Sequence, residues 1–316
     1  MSGRAIRHPA PARRRAPLIL LWGLPEEEPL AAVHRALRAL GAETVMVDQR
    51  RALATFFLRR PGGPVLRLPG RDLPLAKVTA SYPRPYPVPL PQLRAGRPGG
   101  SVARRHLARL EYDLWEWAAS TTATVVNRPG PAASNSTKPL QTRAARACGF
   151  QVPDALLTND PEQARTFAAR HGLVVYKAAG GTRTFTGMLD LADTGRLRRL
   201  GTCPVYLQRY IAGTNVRVHV VGAGAFGVEI ASDAVDYRRD VREMSPISLP
   251  APVAGKCRAV AKTLELLVTG IDLIRAADGE WYFLEANPSP AFTFYPDRDK
   301  VGVAIARLLT GPPACP

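Results

Sequence analysis

The hydrophobic positions of the first fifty residues follow first a strand period and then a helix period. An apolar run over 17–23 predicts a buried strand, and helical spacing over 29–40 predicts an amphipathic helix. Residues 43–48 predict a second strand. This strand–helix–strand order is typical of an α/β domain with a parallel sheet. The first turn has no Gly-rich phosphate-binding sequence, and three glutamates over 26–28 occupy the predicted helix start, so we expect no nucleotide there.

The middle of the chain gives a weaker pattern. Residues 60–100 are rich in Pro, Gly and Arg and predict no clear element, whereas 102–119 predict a long amphipathic helix. A short strand over 125–127 follows. The sequence then predicts helices over 139–148 and 161–171, each ending before a glycine.

After residue 172 the pattern becomes predominantly β. The predicted strands cover 173–177, 182–189, 205–211, 215–222 and 225–232. They are followed by a helix over 253–268, a hairpin and a short helix over 301–309. Within 215–222, valines alternate with Asn215, Arg217 and His219, so the polar side chains share one face. The chain is therefore predicted to be α/β, with α+β lobes.

Charge and cysteine content exclude few function classes. Lys+Arg 43 against Asp+Glu 26 gives a net charge of +17, which raises nucleic acid as a partner. The arginines are scattered or lie in an Ala- and Pro-rich leader at the start of the chain, without a nucleic-acid-binding motif, so this alternative is less favoured. Four distant cysteines show no metal-ligand spacing, as expected in a reducing cytoplasm. No apolar stretch is long enough for a membrane span.

The hairpin over 270–287 carries the most informative chemistry. Asp278-Gly279 predicts a two-residue turn, which places Asp272 opposite Glu285 and Gly270 opposite Asn287. The same register places Ile274 opposite Phe283. Directly opposed carboxylates repel by about 3 kcal/mol at an effective dielectric near 20, more than a good cross-strand pair contributes.

A divalent cation would remove that repulsion. Mg²⁺ prefers one or two carboxylates plus substrate phosphates, and Asn287 adds a carbonyl oxygen on the same face. Asp272, Glu285 and Asn287 are therefore the predicted metal ligands. The alternatives are a slipped register or a solvated hairpin edge.

A metal held in this way implies a nucleotide, whose phosphates would need cationic partners. The chain has six lysines, so the position of each one is informative. Lys138 precedes a predicted helix, where a cation and a helix N-terminus could share a phosphate. Lys177 ends an apolar strand before Gly180-Gly181, whose turn could approach phosphates closely. Arg217 could clamp a phosphate or carboxylate. Each lysine could instead be an ordinary surface residue, and His219 is more simply explained by packing.

In their order along the chain, these residues resemble the ATP-grasp superfamily, near the RimK-like carboxylate–amine ligases and the peptide-modifying maturases. The resemblance covers about 120–310 and rests on Lys138, Lys177, Gln208-Arg209-Tyr210-Ile211, Asn215, Arg217, Asp272 and Glu285-Ala286-Asn287. It implies an ATP-grasp fold preceded by a Rossmann-like domain. The predicted division is a disordered leader over 1–16, a pre-ATP-grasp domain over 17–120, a central lobe over 121–204 and a C-terminal lobe over 205–316.

The resemblance also implies roles for the ATP-binding residues. Lys138 and Lys177 would contact the ATP phosphates. Gln208 and main-chain groups of Tyr210 and Ile211 would read adenine. Asn215 would lie near the ribose, where the family more usually has an acidic residue.

Roles in the transfer step follow from the same resemblance. Arg217 would hold the transferred phosphate or the acyl-phosphate. Asp236-Tyr237-Arg238 and Arg183 match segments that close over phosphate and substrate, and Arg238 or His219 would assist the second substrate.

The function implied is an ATP- and Mg²⁺-dependent ligase. It would activate a carboxylate of a peptide or small molecule as an acyl-phosphate and join it to an amine or hydroxyl group. The alternatives are a small-molecule kinase on the same scaffold and a basic nucleic-acid-binding protein. A cytoplasmic location is expected, and the sequence leaves a homo-oligomer open.

Overall fold

The structure is a computed structural model that describes residues 16–86, 100–179, 186–190 and 203–312. Most of the predicted leader, the Gly180-Gly181 turn and Arg183 lie outside the described residues. So do Cys315 and the first half of the strand predicted over 182–189, of which Gly187–Met188 is described as a strand.

The helices agree closely with the predicted pattern. They are α1 (Glu28–Ala39), α2 (Gly100–Ser120), α3 (Pro129–Ala132), α4 (Lys138–Ala147), α5 (Pro161–His171), α6 (Ala251–Thr263) and α7 (Arg298–Thr310). The helix predicted over 253–268 ends early, at Thr263, because a turn with Glu265 at φ 55° leads into the next strand at Val268.

Sixteen strands form four sheets in the described parts of the chain. They are β1 (Leu18–Gly23), β2 (Glu43–Asp48), β3 (Phe56–Arg60), β4 (Gly63–Leu68), β5 (Arg71–Pro74), β6 (Ala80–Arg84), β7 (Thr124–Val125), β8 (Ala155–Thr158), β9 (Val174–Ala178), β10 (Gly187–Met188), β11 (Val205–Arg209), β12 (Thr214–Val221), β13 (Gly224–Ala231), β14 (Glu243–Ile247), β15 (Val268–Arg275) and β16 (Trp281–Asn287).

The first sheet is parallel, in the order β2-β1-β6-β7, as the strand–helix–strand pattern predicts. Its central strand β1 is buried on both faces, which explains its uninterrupted apolar run. Leu18, Leu20 and Trp22 pack towards α2. Ile19 and Leu21 pack towards α1 and the C-terminal helix α7, so the chain end returns to the first domain.

A small antiparallel sheet, β3-β4-β5, lies within the first domain and was not predicted. Its strands contain Pro64, Pro74 and four arginines, so neither composition nor alternation favours a sheet. Leu66 and Leu73 pack into the core that α2 covers, and this burial stabilises the sheet.

The central sheet has the order β10-β9-β11-β8 and is covered by α5. The strand Val205–Arg209 pairs with Val174–Ala178 and Ala155–Thr158, so it lies in this sheet. The predicted domain bounds place residues from 205 onwards in the C-terminal lobe, and they stay a prediction. The pairing of Val205–Arg209 favours counting this strand with the central sheet.

The C-terminal sheet is antiparallel, in the order β14-β13-β12-β15-β16. Val216, Val218 and Val220 pack against α4 and α6, which confirms the predicted alternation along β12. The other face of β12 carries Arg217 and His219. Strand β13 follows a tight turn at 222–223, so the sequence G-x-G-x-x-G over 222–227 begins a strand and not the helix that a dinucleotide site needs.

Candidate functional site

Two carboxylates face each other at the centre of the last hairpin. Asp272 of β15 is directly opposite Glu285 of β16, and Gly270 is opposite Asn287, as predicted. Side chains two residues apart on a strand share a face, so Glu285 and Asn287 lie on the side that Asp272 occupies. The hairpin thus presents three oxygen-bearing side chains together.

The predicted register is correct at the site but wrong towards the tip. Ala276 and Glu280 close the turn by a backbone hydrogen bond, so the loop has three residues and not two, with Gly279 at φ 86°. Ile274 therefore lies opposite Tyr282 and not Phe283. A bulge between the pairs Leu273–Phe283 and Asp272–Glu285 absorbs the difference, and the two deviations cancel at Asp272.

Arg217 approaches the carboxylates from the neighbouring strand β12. It is opposite Asp272, and its Nη1 lies 2.8 Å from Asp272 Oδ2. Burial opposes the charge of the guanidinium, but Asp272 holds the pKa of Arg217 above its usual value. Arg217 Nε is buried without a hydrogen-bond partner in the described structure, so the guanidinium still has an unused donor.

Two tyrosines complete this cluster. Tyr237 belongs to the segment that the resemblance places over phosphate and substrate, but neither of its contacts here was predicted. The Tyr237 hydroxyl donates to Asp272 Oδ1 at 3.1 Å and lies 3.0 Å from the Tyr295 hydroxyl. Burial, and to a lesser extent the negative charge of Asp272, raises the pKa of Tyr237 well above its usual value. Tyr237 therefore stays protonated and acts as a hydrogen-bond donor to Asp272.

Lys138 is the first residue of α4 and lies near Glu285. Burial lowers its pKa, Glu285 opposes this shift, and the neighbouring cations Lys177 and Arg238 lower the pKa further. Lys138 therefore interacts electrostatically with both Glu285 and Lys177, which places the two predicted lysines near each other and Lys138 near the carboxylate pair. Thr137 is the N-cap residue, but its hydroxyl donates to the Ser134 carbonyl and does not cap the helix.

Arg238 lies in a short 3-10 turn that closes over the same region. Asp236 Oδ1 and Oδ2 accept from Arg238 Nε at 2.7 Å and Nη2 at 2.5 Å, and Oδ2 also accepts from the Thr186 N–H at 2.9 Å. Burial opposes ionisation, yet these hydrogen bonds hold the pKa of Asp236 below its usual value. Arg238 interacts electrostatically with Glu285 and Asp272, so it faces the carboxylate pair.

The predicted adenine-reading residues lie at the end of β11. Gln208 is buried and its Nε2 has no hydrogen-bond partner in the described structure. An unsatisfied buried donor is costly, so Gln208 fits a role that a bound base would complete. The Tyr210 N–H already donates to the Leu173 carbonyl, so an adenine contact from Tyr210 would use its carbonyl oxygen. Asn215 lies on β12, two residues before Arg217.

His219 is fully buried, in agreement with the packing interpretation. Its Nδ1 lies 3.3 Å from Asp297 Oδ2, and its ring packs edge-on against Tyr295. Burial lowers the pKa of His219, and the hydrogen bond that its ring shares with the accepting Asp297 carboxylate only partly offsets this shift. His219 therefore supports Tyr295 from within the core and is not exposed to a second substrate.

In the first domain, a side chain of the chain itself caps the N-terminus of α1, where the absence of a nucleotide was expected. Glu27 accepts from the Leu30 N–H at the N-terminus of α1 and pairs with the buried Arg84 at 2.7 Å. Arg84 also donates to Ser289 Oγ at 3.0 Å. A carboxylate thus occupies the place where a phosphate would bind, and Arg84 links the first domain to the segment after Asn287.

Two further observations concern helix character and metal-ligating side chains. Among the described residues, no helix combines the length and the apolar character needed to cross a bilayer. Within the same residues, no three His, Cys, Asp or Glu side chains cluster as a metal site. The candidate magnesium site therefore consists of two carboxylates and the Asn287 amide. All of its donors are oxygens, which fits Mg²⁺.

Comparison with known proteins gives matches among solved structures only. No family model matches the chain, and no curated relative does. The structure resembles the ATP-grasp ligase PsnB complexed with minimal precursor, Mg and ADP, with a TM-score of 0.74 and 28% identity. The alignment covers 92% of this chain and 96% of PsnB.

Two further structures show the same fold at lower identity. One is a RiPP-associated ATP-grasp ligase from Chryseobacterium gregarium in complex with ADP and a leader and core peptide. It has a TM-score of 0.80 and 21% identity over 93% of this chain and 96% of that one. The other is the macrocyclase MdnC from Microcystis aeruginosa, bound with precursor peptide MdnA. It has a TM-score of 0.80 and 23% identity over 92% and 98% of the two chains.

Proposed function

We propose that this chain, an ATP-grasp ligase of the peptide-modifying branch, activates a side-chain carboxylate of a precursor peptide and joins it to an amine or hydroxyl group. ATP and Mg²⁺ are its cofactors, as the ADP, AMPPNP and Mg complexes of the PsnB structures support. A precursor peptide is bound in several of the similar structures.

One observation carries the residue assignments: the Asp272–Glu285 pair lies beside Arg217, with Lys138 and Arg238 facing the same carboxylates. Asp272, Glu285 and Asn287 would hold Mg²⁺, which when bound neutralises charge on the phosphates. Three cationic side chains beside a carboxylate pair are the kind of arrangement that can stabilise a highly anionic group together with a metal ion.

The chain's own residues would then act on charge and position. Lys138 and Lys177 bind the phosphates of ATP, and Arg217 and Arg238 stabilise the transferred phosphoryl group. The substrate carboxylate oxygen bonds to the γ-phosphorus as ADP leaves. The amine or hydroxyl then bonds to the acyl carbon, phosphate leaves, and the nucleophile's proton passes to solvent. Tyr237 holds Asp272 in place throughout this sequence.

The other candidate functions receive less support. A kinase on the same scaffold would stop at a stable phosphorylated product, but the similar structures are ligases, including D-cycloserine synthetase, which shares the fold at a TM-score of 0.56. A nucleic-acid-binding role rests on the net charge of +17 alone. Many exposed arginines pair with carboxylates, such as Arg59 with Asp113 and Arg67 with Asp72, so the surface is less free to bind phosphates than its charge suggests.

The test uses ATP, Mg²⁺ and a peptide that contains glutamate together with lysine, serine and threonine. We expect release of ADP and phosphate, loss of one water from the peptide for each bond formed, and hydroxamate formation when hydroxylamine is added. The control peptide has glutamine in place of each glutamate and should give none of these. ADP release with a stable phosphopeptide, or with no dependence on the peptide carboxylates, would contradict the proposal.

A further inference from the structure

Strand β16, which carries Glu285 and Asn287, is the edge of its sheet. An edge strand presents backbone N–H and C=O groups that no neighbouring strand pairs. On the outer side of β16, those of Ala286 are satisfied by one side chain from another element. Gln141 Nε2 donates to the Ala286 carbonyl at 2.6 Å, and the Ala286 N–H donates to Gln141 Oε1 at 3.0 Å.

Gln141 is itself held firmly. It is 2% exposed, and its Nε2 also donates to the Ser134 carbonyl at 3.1 Å. With three hydrogen bonds made, its amide can neither rotate nor exchange with water without loss. A buried amide with this geometry fixes the position of the β16 backbone relative to α4 more closely than an apolar contact would, because hydrogen bonds are directional.

The two ends of this link are both functional elements of the site. Gln141 lies three residues after Lys138 in α4, so both side chains lie on adjacent turns of one helix face. Ala286 lies between Glu285 and Asn287. The Gln141–Ala286 hydrogen bonds therefore connect the strand of the proposed metal ligands to the helix of a proposed phosphate-binding lysine.

A second side-chain amide holds the same strand end. Asn127 Nδ2 donates to the carbonyls of Val268 at 2.7 Å and Pro288 at 2.6 Å, and the Val268 N–H donates to Asn127 Oδ1 at 3.1 Å. Val268 begins β15, and Pro288 directly follows Asn287. Asn287 is therefore bracketed by two buried amides that act on the backbone at its two neighbours.

We propose that Gln141 is a positioning residue that sets the spacing between the metal ligands Glu285 and Asn287 and the phosphate-binding Lys138. This inference rests on the proposed function of the site. It assigns to Gln141 no contact with substrate or metal. Residues that orient ligands in this way typically change metal affinity by about 10–100-fold when they are replaced.

The test measures metal binding without turnover. Gln141→Met keeps the length of the side chain but removes all three hydrogen bonds. Mn²⁺ binding in the presence of ADP is monitored through the loss of the EPR signal of the free ion. The affinity of the Gln141→Met variant for Mn²⁺ should be lower than that of wild type by about tenfold or more. Lys138 and the ligands are unchanged in this variant, so a wild-type affinity within twofold would overturn the proposal.

Two further variants separate positioning from loss of stability. Thr142→Val removes a buried hydroxyl next to Gln141 in α4, one that lies 3.4 Å from the Tyr206 hydroxyl and makes no hydrogen bond with β16 among the described residues. It should lower the melting temperature without changing Mn²⁺ affinity. Gln141→Glu retains the acceptor for the Ala286 N–H, so it should bind Mn²⁺ with intermediate affinity, and it serves as the test if Gln141→Met does not fold.

The outcome for wild type distinguishes the two proposals. If the wild-type chain binds Mn²⁺ with ADP but shows no peptide-dependent ATP turnover, the proposed function fails while the role of Gln141 is still measured. If wild type turns over and the Gln141 variants bind Mn²⁺ normally, the role of Gln141 fails alone.

Discussion

The guanidinium of Arg217 lies across the backbone of Gly270 on the adjacent strand. A Cβ at position 270 would be 2.6 Å from Arg217 Nε and would overlap Cζ and Nη2. The absence of a side chain at 270 thus gives Arg217 the space in which it meets Asp272.

Gly270→Ala should therefore displace Arg217. Because a misplacement of about 1 Å in an active site can cost about 10²-fold in rate, peptide-dependent phosphate release should fall by about that factor. Gly255→Ala is the matched control, since Gly255 lies in helix α6 with only Arg258 Nη2 as near as 4.0 Å. That variant should keep full activity, and equal loss in both would contradict the explanation.

Glu285→Gln tests the carboxylate pair without breaking the buried Arg217–Asp272 ion pair. Asp272 neutralises the buried Arg217, so Asp272→Asn would combine loss of a proposed ligand with an uncompensated buried charge. Glu285→Gln should reduce the rate at limiting Mg²⁺ by more than about 100-fold, since a ligand contributes more than the groups that orient it. Glu280→Gln, in the exposed turn of the same hairpin, should behave as wild type. Normal Mg²⁺ dependence in Glu285→Gln would place the metal elsewhere.

His219 should make the protein less stable in mild acid. Because burial lowers its pKa below the ordinary value of 6.5, the unfolded chain binds the proton more readily. The free energy of unfolding should therefore fall as the pH drops below 6.5, by at most about 1.4 kcal/mol per pH unit. Denaturant unfolding at pH 7.5 and 5.5 should show a smaller difference for His219→Asn than for wild type. The pKa of His34 is also lowered, so only the difference between the two proteins is informative.

Arg84 should contribute strongly to the stability of the link between the first domain and the C-terminal lobe. Its side chain is buried with Glu27, and breaking a buried pair from one side costs about 3–5 kcal/mol. Arg84→Met should lower the free energy of unfolding by that amount, and adding Glu27→Gln should recover part of it. Arg50→Met, which removes an exposed pair with Asp48, should have no measurable effect. Additive losses from Arg84 and Glu27 would contradict the coupling.

Local pattern predicted much of the fold. The period of hydrophobic residues located α1, β2 and α5 to within a residue, because each buries a continuous face. It failed for the sheet β3-β4-β5, where prolines and arginines replace alternation and burial against α2 determines the structure.

The candidate site was predictable where its residues lie on one hairpin or at the start of an element. Asp272, Glu285 and Asn287 followed from strand pairing, and Lys138 from a helix start. The contact between Tyr237 and Tyr295 was not predictable, because 58 residues separate them and no periodicity connects them. Gln141 was hidden for the same reason, since its partner Ala286 is 145 residues away.

The bulge at Leu284 divides the last hairpin into two regions whose strand registers are determined by different contacts. Between the tip and Leu284 the pairing follows the loop, whereas from Glu285 inwards it follows β12 and the side chains that hold Ala286 and Pro288. Descendants of this protein could lengthen or shorten the tip without moving the acidic pair. Loss of a single residue between 284 and 287, in contrast, would turn those oxygens towards the opposite side of the sheet. The number of residues in this segment should therefore vary less among related proteins than the length of the turn.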